Sequence, residues 1–295
     1  MEAAAEPTTV DRLPATLRLG PVRLRVASLD RSVPWYESAL GLRLHRRDGD
    51  EAELGDGAET VVLLHEDPQA RPAGRHAGLY HYALLYPSRE ELAWAARRLA
   101  LARTPIQGMS DHGTHETIYL PDPDGNGIEL AADRARDRWP DLREELARGG
   151  PRPLDIDSLL AAVPEDAPPA HVADGLRVGH LHLHVGDIDE ALAFYRDALG
   201  FAEQMNMGSA AFLSAGGYHH HLGVNVWRGV GVGPPPEQTA GLERWTIELP
   251  GEDDVAAARS RLAAAGIEAE DVSGGFLARD PWRTAVAVVA NGAPS

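Results

Sequence analysis

Cysteine is absent from the 295 residues. That excludes disulfides and thiolate metal sites. No apolar run approaches the roughly 18 residues of a membrane span, so no membrane partner is expected. Cations are outnumbered: 28 Lys and Arg stand against 45 Asp and Glu, a formal net charge of −17. Phosphate binding needs clustered Lys and Arg, so nucleic acid is not an expected partner. The opening stretch "MEAAAEPTTVDRLP" lacks the basic start and apolar core of a signal peptide. Residues 1–17 read as a disordered tail, and the cytoplasm is the expected compartment.

What is present is ordinary in bulk, with 43% hydrophobic and 25% charged residues, as in a soluble globular protein. The length suits two domains of roughly 100–200 residues each. The informative feature is repetition. "LGPVRLRVASLDRSVPWYESALGLRL" (19–44) aligns without a gap on "RVGHLHLHVGDIDEALAFYRDALGFAE" (177–203) at an offset of 159. Tyr36 then meets Tyr195, and Ala39-Leu40-Gly41 meets Ala198-Leu199-Gly200. "AGLYHYALLYPSREEL" (77–92) aligns on "AGLERWTIELPGEDDV" (240–255) at an offset of 163. The two halves are copies of each other.

Each unit opens with a strand of period-two alternation, such as "VRLRVAS" or "LHLHVGD". A helix entered at an acidic or hydroxyl residue follows, and Gly41 and Gly200 stand where a helix C-cap is expected. Short strands parted by Gly-rich turns complete it, as in "AELGDGAETVVLL". The pattern is β-α-β-β-β, four times over, at about 18–68, 76–133, 175–229 and 239–291. Residues 18–135 therefore form a first half of two modules and residues 175–292 a second. Residues 136–174 supply a short polar helix and a Pro-rich connector.

Four such units, with "FYRDALGF" after a first strand and "DPDGNGIEL" closing a unit, resemble the vicinal oxygen chelate superfamily. Glyoxalase I, fosfomycin-resistance proteins and the extradiol dioxygenases belong to it, and "GHLHLHV" with "SAGGYHHHLG" looks most like the two-domain catechol 2,3-dioxygenases. The resemblance implies an α+β fold in which the modules form two paired, cupped mixed sheets. It also implies metal ligands near the start of a unit's first strand and on its last strand. The first-strand positions are Pro21, His81, His180 and Arg244. Proline cannot ligate, and arginine offers only donors. The last-strand position is Glu129 in unit two; at an offset of 158 unit four has Ala287 there.

The ligand set so implied is His81, Glu129 and His180. Two histidines and a carboxylate make the facial triad of non-haem Fe(II) oxygenases, which leaves positions open for substrate and dioxygen. The set requires unit two to pack beside unit three, and unit one beside unit four. The implied cofactor is Fe(II), with Mn, Zn or Ni as alternatives. The implied partners are a small aromatic diol and dioxygen, and a homo-oligomer is compatible with the pattern.

The resemblance also implies groups around the metal. His220, three residues before Gly223, takes the acid/base role, with His221 as runner-up on the same strand. His112 and Tyr119 hold the substrate oxygens, with His115 as the alternative to His112. His182 and His184 share a strand face with His180 and line the pocket. His45, His65, His76 and His171 read as surface residues, and Trp227 and Trp245 as pocket wall or core. Two rivals stand beside the dioxygenase reading. One is a glyoxalase-like isomerase or lyase with a fourth ligand from "HHH"; the other is a non-catalytic aromatic-ligand binder of the same fold.

Overall fold

The computed structural model describes residues 12–292. Residues 1–11 of the expected tail and residues 293–295 lie outside the described residues. Unit one follows a two-residue strand, β1 (Arg18–Leu19). It consists of β2 (Val22–Val26), α1 (Leu29–Leu40), β3 (Arg43–Asp48), β4 (Glu51–Gly55) and β5 (Thr60–Glu66). Unit two is β6 (Gly78–Leu85), α2 (Arg89–Leu101), β7 (Gly108–Asp111), β8 (His115–Pro121) and β9 (Gly127–Asp133). The connector carries α3 (Leu142–Ala147), β10 (Arg152–Pro153) and α4 (Ile156–Leu160). Unit three is β11 (Arg177–His184), α5 (Ile188–Leu192), β12 (Ala202–Asn206), β13 (Ala210–Ser214) and β14 (Leu222–Asn225); α5 continues into a π turn over Ala193–Ala198. Unit four is β15 (Gly241–Leu249), α6 (Glu252–Ala264), β16 (Ala269–Val272), β17 (Gly275–Arg279) and β18 (Ala285–Ala290). Among the described residues, no helix is long and apolar enough to cross a membrane.

Residues 12–17 correct the expected tail. Leu13 and Leu17 are buried, and the Leu13 N–H donates to the Gly200 carbonyl at 2.9 Å. Two apolar side chains with a surface to cover hold this segment down.

In every unit the first strand pairs in parallel with the last, and the inner strands form an antiparallel meander. The units then join across the halves. β6 pairs antiparallel with β11, with His81 opposite His182. β2 pairs antiparallel with β15, with Arg23 opposite Arg244. The repeat offsets carry His182 onto Arg23 and His81 onto Arg244, so the two pairings share one register. β1 joins the two cups at one edge, where Leu19 faces both Val178 and Ile247.

The repeated motifs owe their chemistry to contacts on the helix side. Tyr36 of α1 is fully buried and donates to Asp122 Oδ2 at 3.0 Å. Tyr195 does the same for Asp280 at 2.8 Å. Each carboxylate also folds its own turn: Asp122 Oδ1 accepts from the Asp124 and Asn126 amides, and Asp280 Oδ1 from those of Trp282 and Thr284. "PDPDGNG" is thus more than a turn signal, since it seats the partner unit's tyrosine. The repeated glycines answer to a second contact. Gly41 has φ of 73°, and a Cβ there would lie 2.7 Å from Arg98 Nε. Gly200 has φ of 107°, and its Cβ would meet Arg261 Nε at 3.0 Å. Only glycine suits both the left-handed backbone and the close approach.

Removing a buried partner of a carboxylate costs about 1–3 kcal/mol. Tyr195→Phe is expected to lower unfolding stability by that amount in denaturant titration while leaving metal binding unchanged, because the bond lies on the helix side of the sheet. A change below about 0.5 kcal/mol, the range of neutral surface substitutions, would deny the bond a structural role.

Candidate metal centre

The site is built by three adjacent strands. β6 lies between β11 on one side and β9 on the other, with Ala83 opposite Glu129. On β11 the alternation of "HLHLH" sends Leu181 and Leu183 into the core, both fully buried, and the histidines to the concave face. His81, Glu129 and His180 converge there, all buried. Glu129 Oε2 lies 3.0 Å from His81 Nε2 and 3.0 Å from His180 Nε2. Their donor atoms all lie within 4.8 Å of one another.

Electrostatics keep this group in a ligating state. Burial pushes the Glu129 carboxyl up, but His180, then His115 and His81, hold it well below the usual carboxylate range. Burial pushes His180 down against the pull of Glu129, which favours the neutral ring. Glu129 Oε1 is buried, and His115 Nε2 at 3.2 Å does not reach it with hydrogen-bond geometry. Two imidazole nitrogens gathered on one oxygen of an ionised carboxylate, whose other oxygen is buried without a hydrogen bond, fit a divalent cation.

A cavity of about 420 Å³ opens beside this group. His112 Nε2 lies 3.0 Å from the Tyr119 hydroxyl on its wall. His115 and Tyr119 share a face of β8 by the period of two, but His115 turns to Glu129 and His112, from the turn before it, takes the tyrosine. Burial brings His112 down to about 4, and burial with the Glu129 charge raises Tyr119 well above its usual value. At neutral pH the pair is therefore an uncharged imidazole and a protonated phenol.

His219 to His221 correct one expectation. They precede β14 and sit in the loop after β13, not on a strand. His219 and His220 therefore both line the cavity. His221 turns away, accepting the Ala215 N–H at 3.2 Å and packing on Tyr218. The His220 ring stands 4.2 Å from that of His180. His182 lines the cavity with Nε2 buried and unpartnered, and His184 faces Asn225 Oδ1 at 2.8 Å. Trp227 borders the cavity against Tyr80 and His182, whereas Trp245 is core.

Several wall residues escaped the sequence reading. Glu145, Leu146 and Pro151 come from the connector, which closes one side of the cavity, and Met205 and Phe212 come from the β12–β13 pair. Asp133 was legible in principle, since it lies four residues beyond Glu129 on the same face of β9. His115, Asp133 and His219 form a second close group. It is a poor cation site, because the two imidazoles stack in parallel at 4.6 Å and 14°. Their lone pairs lie in the ring planes and do not converge on one ion.

The second cup lacks any such group among the described residues. Arg23 and Arg25 both pair with Glu243, at 3.0 and 2.8 Å, and His65 Nδ1 meets the same carboxylate at 3.0 Å. His65 is thus part of an ionic cluster rather than a free surface residue.

The family model for the glyoxalase/bleomycin resistance protein/dioxygenase superfamily matches residues 18–130 and 177–276. The catechol-2,3-dioxygenase of Bacillus subtilis (strain 168) is 39% identical over 268 residues, which is 89% of this chain and 93% of that one. The structure of a proposed dioxygenase from Bacillus subtilis superposes with a TM-score of 0.68 at 13% identity, covering 95% of this chain and 86% of that one. Glyoxalase I from Zea mays superposes with a TM-score of 0.57 at 20% identity, covering 94% and 93%. At those identities the two structures establish the fold alone.

Glu129→Ala and His180→Ala are each expected to stay folded by circular dichroism while binding a divalent metal at least about 100-fold more weakly. That exceeds the roughly 10–100-fold that follows loss of a group merely supporting a ligand. Arg244→Ala in the second cup should leave metal content unchanged. Full metal occupancy in either of the first two variants would remove that residue from the ligand set.

Proposed function

Because the chain belongs to the glyoxalase/bleomycin resistance protein/dioxygenase superfamily, we propose that it is an Fe(II)-dependent extradiol dioxygenase opening the ring of a small catechol-type substrate. The observation that carries this reading is the donor set: two histidines and one carboxylate gather at one point of an aromatic-walled cavity. Three protein ligands leave room for both substrate oxygens and dioxygen. The 39% identity to a catechol-2,3-dioxygenase over most of both chains supports the same reaction class.

The isomerase rival needs a fourth ligand from His219–His221. His219 is engaged with Asp133 at 3.2 Å, and His221 faces the Ala215 amide. Only His220 retains a nitrogen toward the cavity, and it lies outside the group of three.

When bound, Fe(II) supplies Lewis-acid binding of the diol and the electron exchange between ring and dioxygen. The chain's own residues do the rest. Phe212, Tyr80 and Trp227 offer faces and edges to the substrate ring. Tyr119 keeps its proton and donates it in a hydrogen bond to a substrate oxygen, with His112 fixing the hydroxyl's direction. Neutral His220 takes a proton from the diol and returns it later, as general acid/base catalysis requires. Leu146 and Pro151 keep bulk water off the site.

The test is anaerobic loading with Fe(II), then addition of dioxygen and a panel of catechols. Oxygen uptake matched by the absorbance of a ring-opened product supports the reading. Metal-dependent turnover of a hemithioacetal without oxygen uptake would replace it with the isomerase. His220→Phe is expected to keep its iron and lose roughly 10²–10⁴-fold in kcat, the usual worth of a placed proton-transfer group. His221→Phe should stay close to wild type, because its ring faces away from the cavity.

A further inference from the structure

A chain of hydrogen bonds runs from the sheet to His220, and the steps above leave it unused. Asp133 stands at the end of β9, on the face that carries Glu129. Its Oδ2 accepts from the Tyr218 hydroxyl at 2.8 Å, and its Oδ1 lies 3.2 Å from His219 Nε2. His219 Nδ1 lies 2.9 Å from His220 Nδ1. The His219 ring is clamped between His115, stacked at 4.6 Å, and Trp139 at 5.1 Å. It has little freedom to turn.

Counting protons along this chain decides what His220 presents to the cavity. Each nitrogen–nitrogen or nitrogen–oxygen contact needs one proton, and an ionised carboxylate only accepts. Burial pushes the Asp133 carboxyl up, but His219 and Tyr218 outweigh it and hold the group below its usual range. The proton between Asp133 and His219 therefore sits on His219 Nε2. A neutral His219 ring with its proton on Nε2 has a bare Nδ1. A bare Nδ1 needs a donor, and the atom facing it is His220 Nδ1. That nitrogen carries the proton, which leaves His220 Nε2 with a free lone pair.

We propose that Asp133, acting through His219, fixes His220 as its Nδ1–H tautomer and so leaves Nε2 as the base that faces the substrate cavity. This deepens the preceding reading and rests on it for the catalytic role of His220. Asp133 and His219 are positioning residues. The logic parallels the serine-protease triad, where a buried carboxylate holds a histidine in its working tautomer and stabilises the imidazolium that forms. Here a second imidazole stands between carboxylate and base. When Nε2 takes the diol proton, the new imidazolium donates from Nδ1 to His219, with the Asp133 charge at the far end.

The experiment reads tautomers directly, from the imidazole ¹⁵N shifts of His220 in metal-free and Zn(II)-loaded protein at neutral pH. The expected wild-type pattern is a protonated Nδ1 and an unprotonated Nε2. In His219→Phe, which keeps the ring stack but offers no acceptor, the Nε2–H form should appear. With Fe(II), the same variant should lose about 10–100-fold in kcat, the range for a lost supporting partner, at a KM within about twofold. A wild-type His220 protonated on Nε2 overturns the proposal without any variant, as does a tautomer indifferent to His219→Phe. A tautomer that shifts while kcat does not upholds the positioning and instead removes His220 from the chemistry, which is a failure of the preceding reading alone.

Discussion

The antiparallel pairing of β6 with β11 is the constraint on which the site depends. It brings His180 from the second half of the chain beside His81 from the first, while β9 delivers Glu129 from the other side of β6. No half holds all three donors. Because side chains alternate, a slip of one residue in this pairing would turn a histidine into the helix-side core and take one imidazole away from Glu129. A buried, ionised carboxylate with too few partners is costly. The chemistry of the site and the register of the sheet therefore enforce each other, and a bound divalent ion would tighten both.

The same register occurs a second time, between β2 and β15, and there the chain makes a different choice. Proline, arginine and alanine stand where the first cup has its candidate ligands. Arg23, Arg25 and His65 gather there on the Glu243 carboxylate. Half-buried ion pairs add little net stability. What they achieve is to give both Arg23 and Arg25 a carboxylate partner in a polar cup. The helix side shows no such divergence. Tyr36 with Asp122 and Tyr195 with Asp280 are equivalent, as are Gly41 with Arg98 and Gly200 with Arg261. The duplicated fold keeps its packing contacts in both copies and its candidate metal-binding group in one.

This division explains what the sequence could disclose. The four modules and the positions of His81, Glu129 and His180 were legible because they recur at fixed offsets, and alternation fixes which face they take. Asp133 obeyed the same alternation and was overlooked only because it lies beyond the positions that the repeat marks. The cavity wall was not legible in that way. Glu145, Leu146 and Pro151 reach the site from a connector with no repeat partner, and their contacts depend on how a short helix docks rather than on any local period. Leu13 and Leu17 were hidden for a similar reason: two leucines in a polar stretch look like a tail until there is a surface for them to cover.

The three consecutive histidines bring these points together. Read as strand residues, His219 and His221 should share one face and His220 take the other. The strand begins only at Leu222, and the glycine pair at 216 and 217, with φ of 59° and 66°, turns the chain in a way no extended segment would. Freed from alternation, His219 and His220 point to the same side and bond to each other through Nδ1, while His221 faces the backbone at Ala215. An identical triplet on a regular strand could offer the cavity either one histidine or two unconnected ones. It is the loop that lets one ring hold the next, and so lets a carboxylate on β9 govern a nitrogen on the far side of His219.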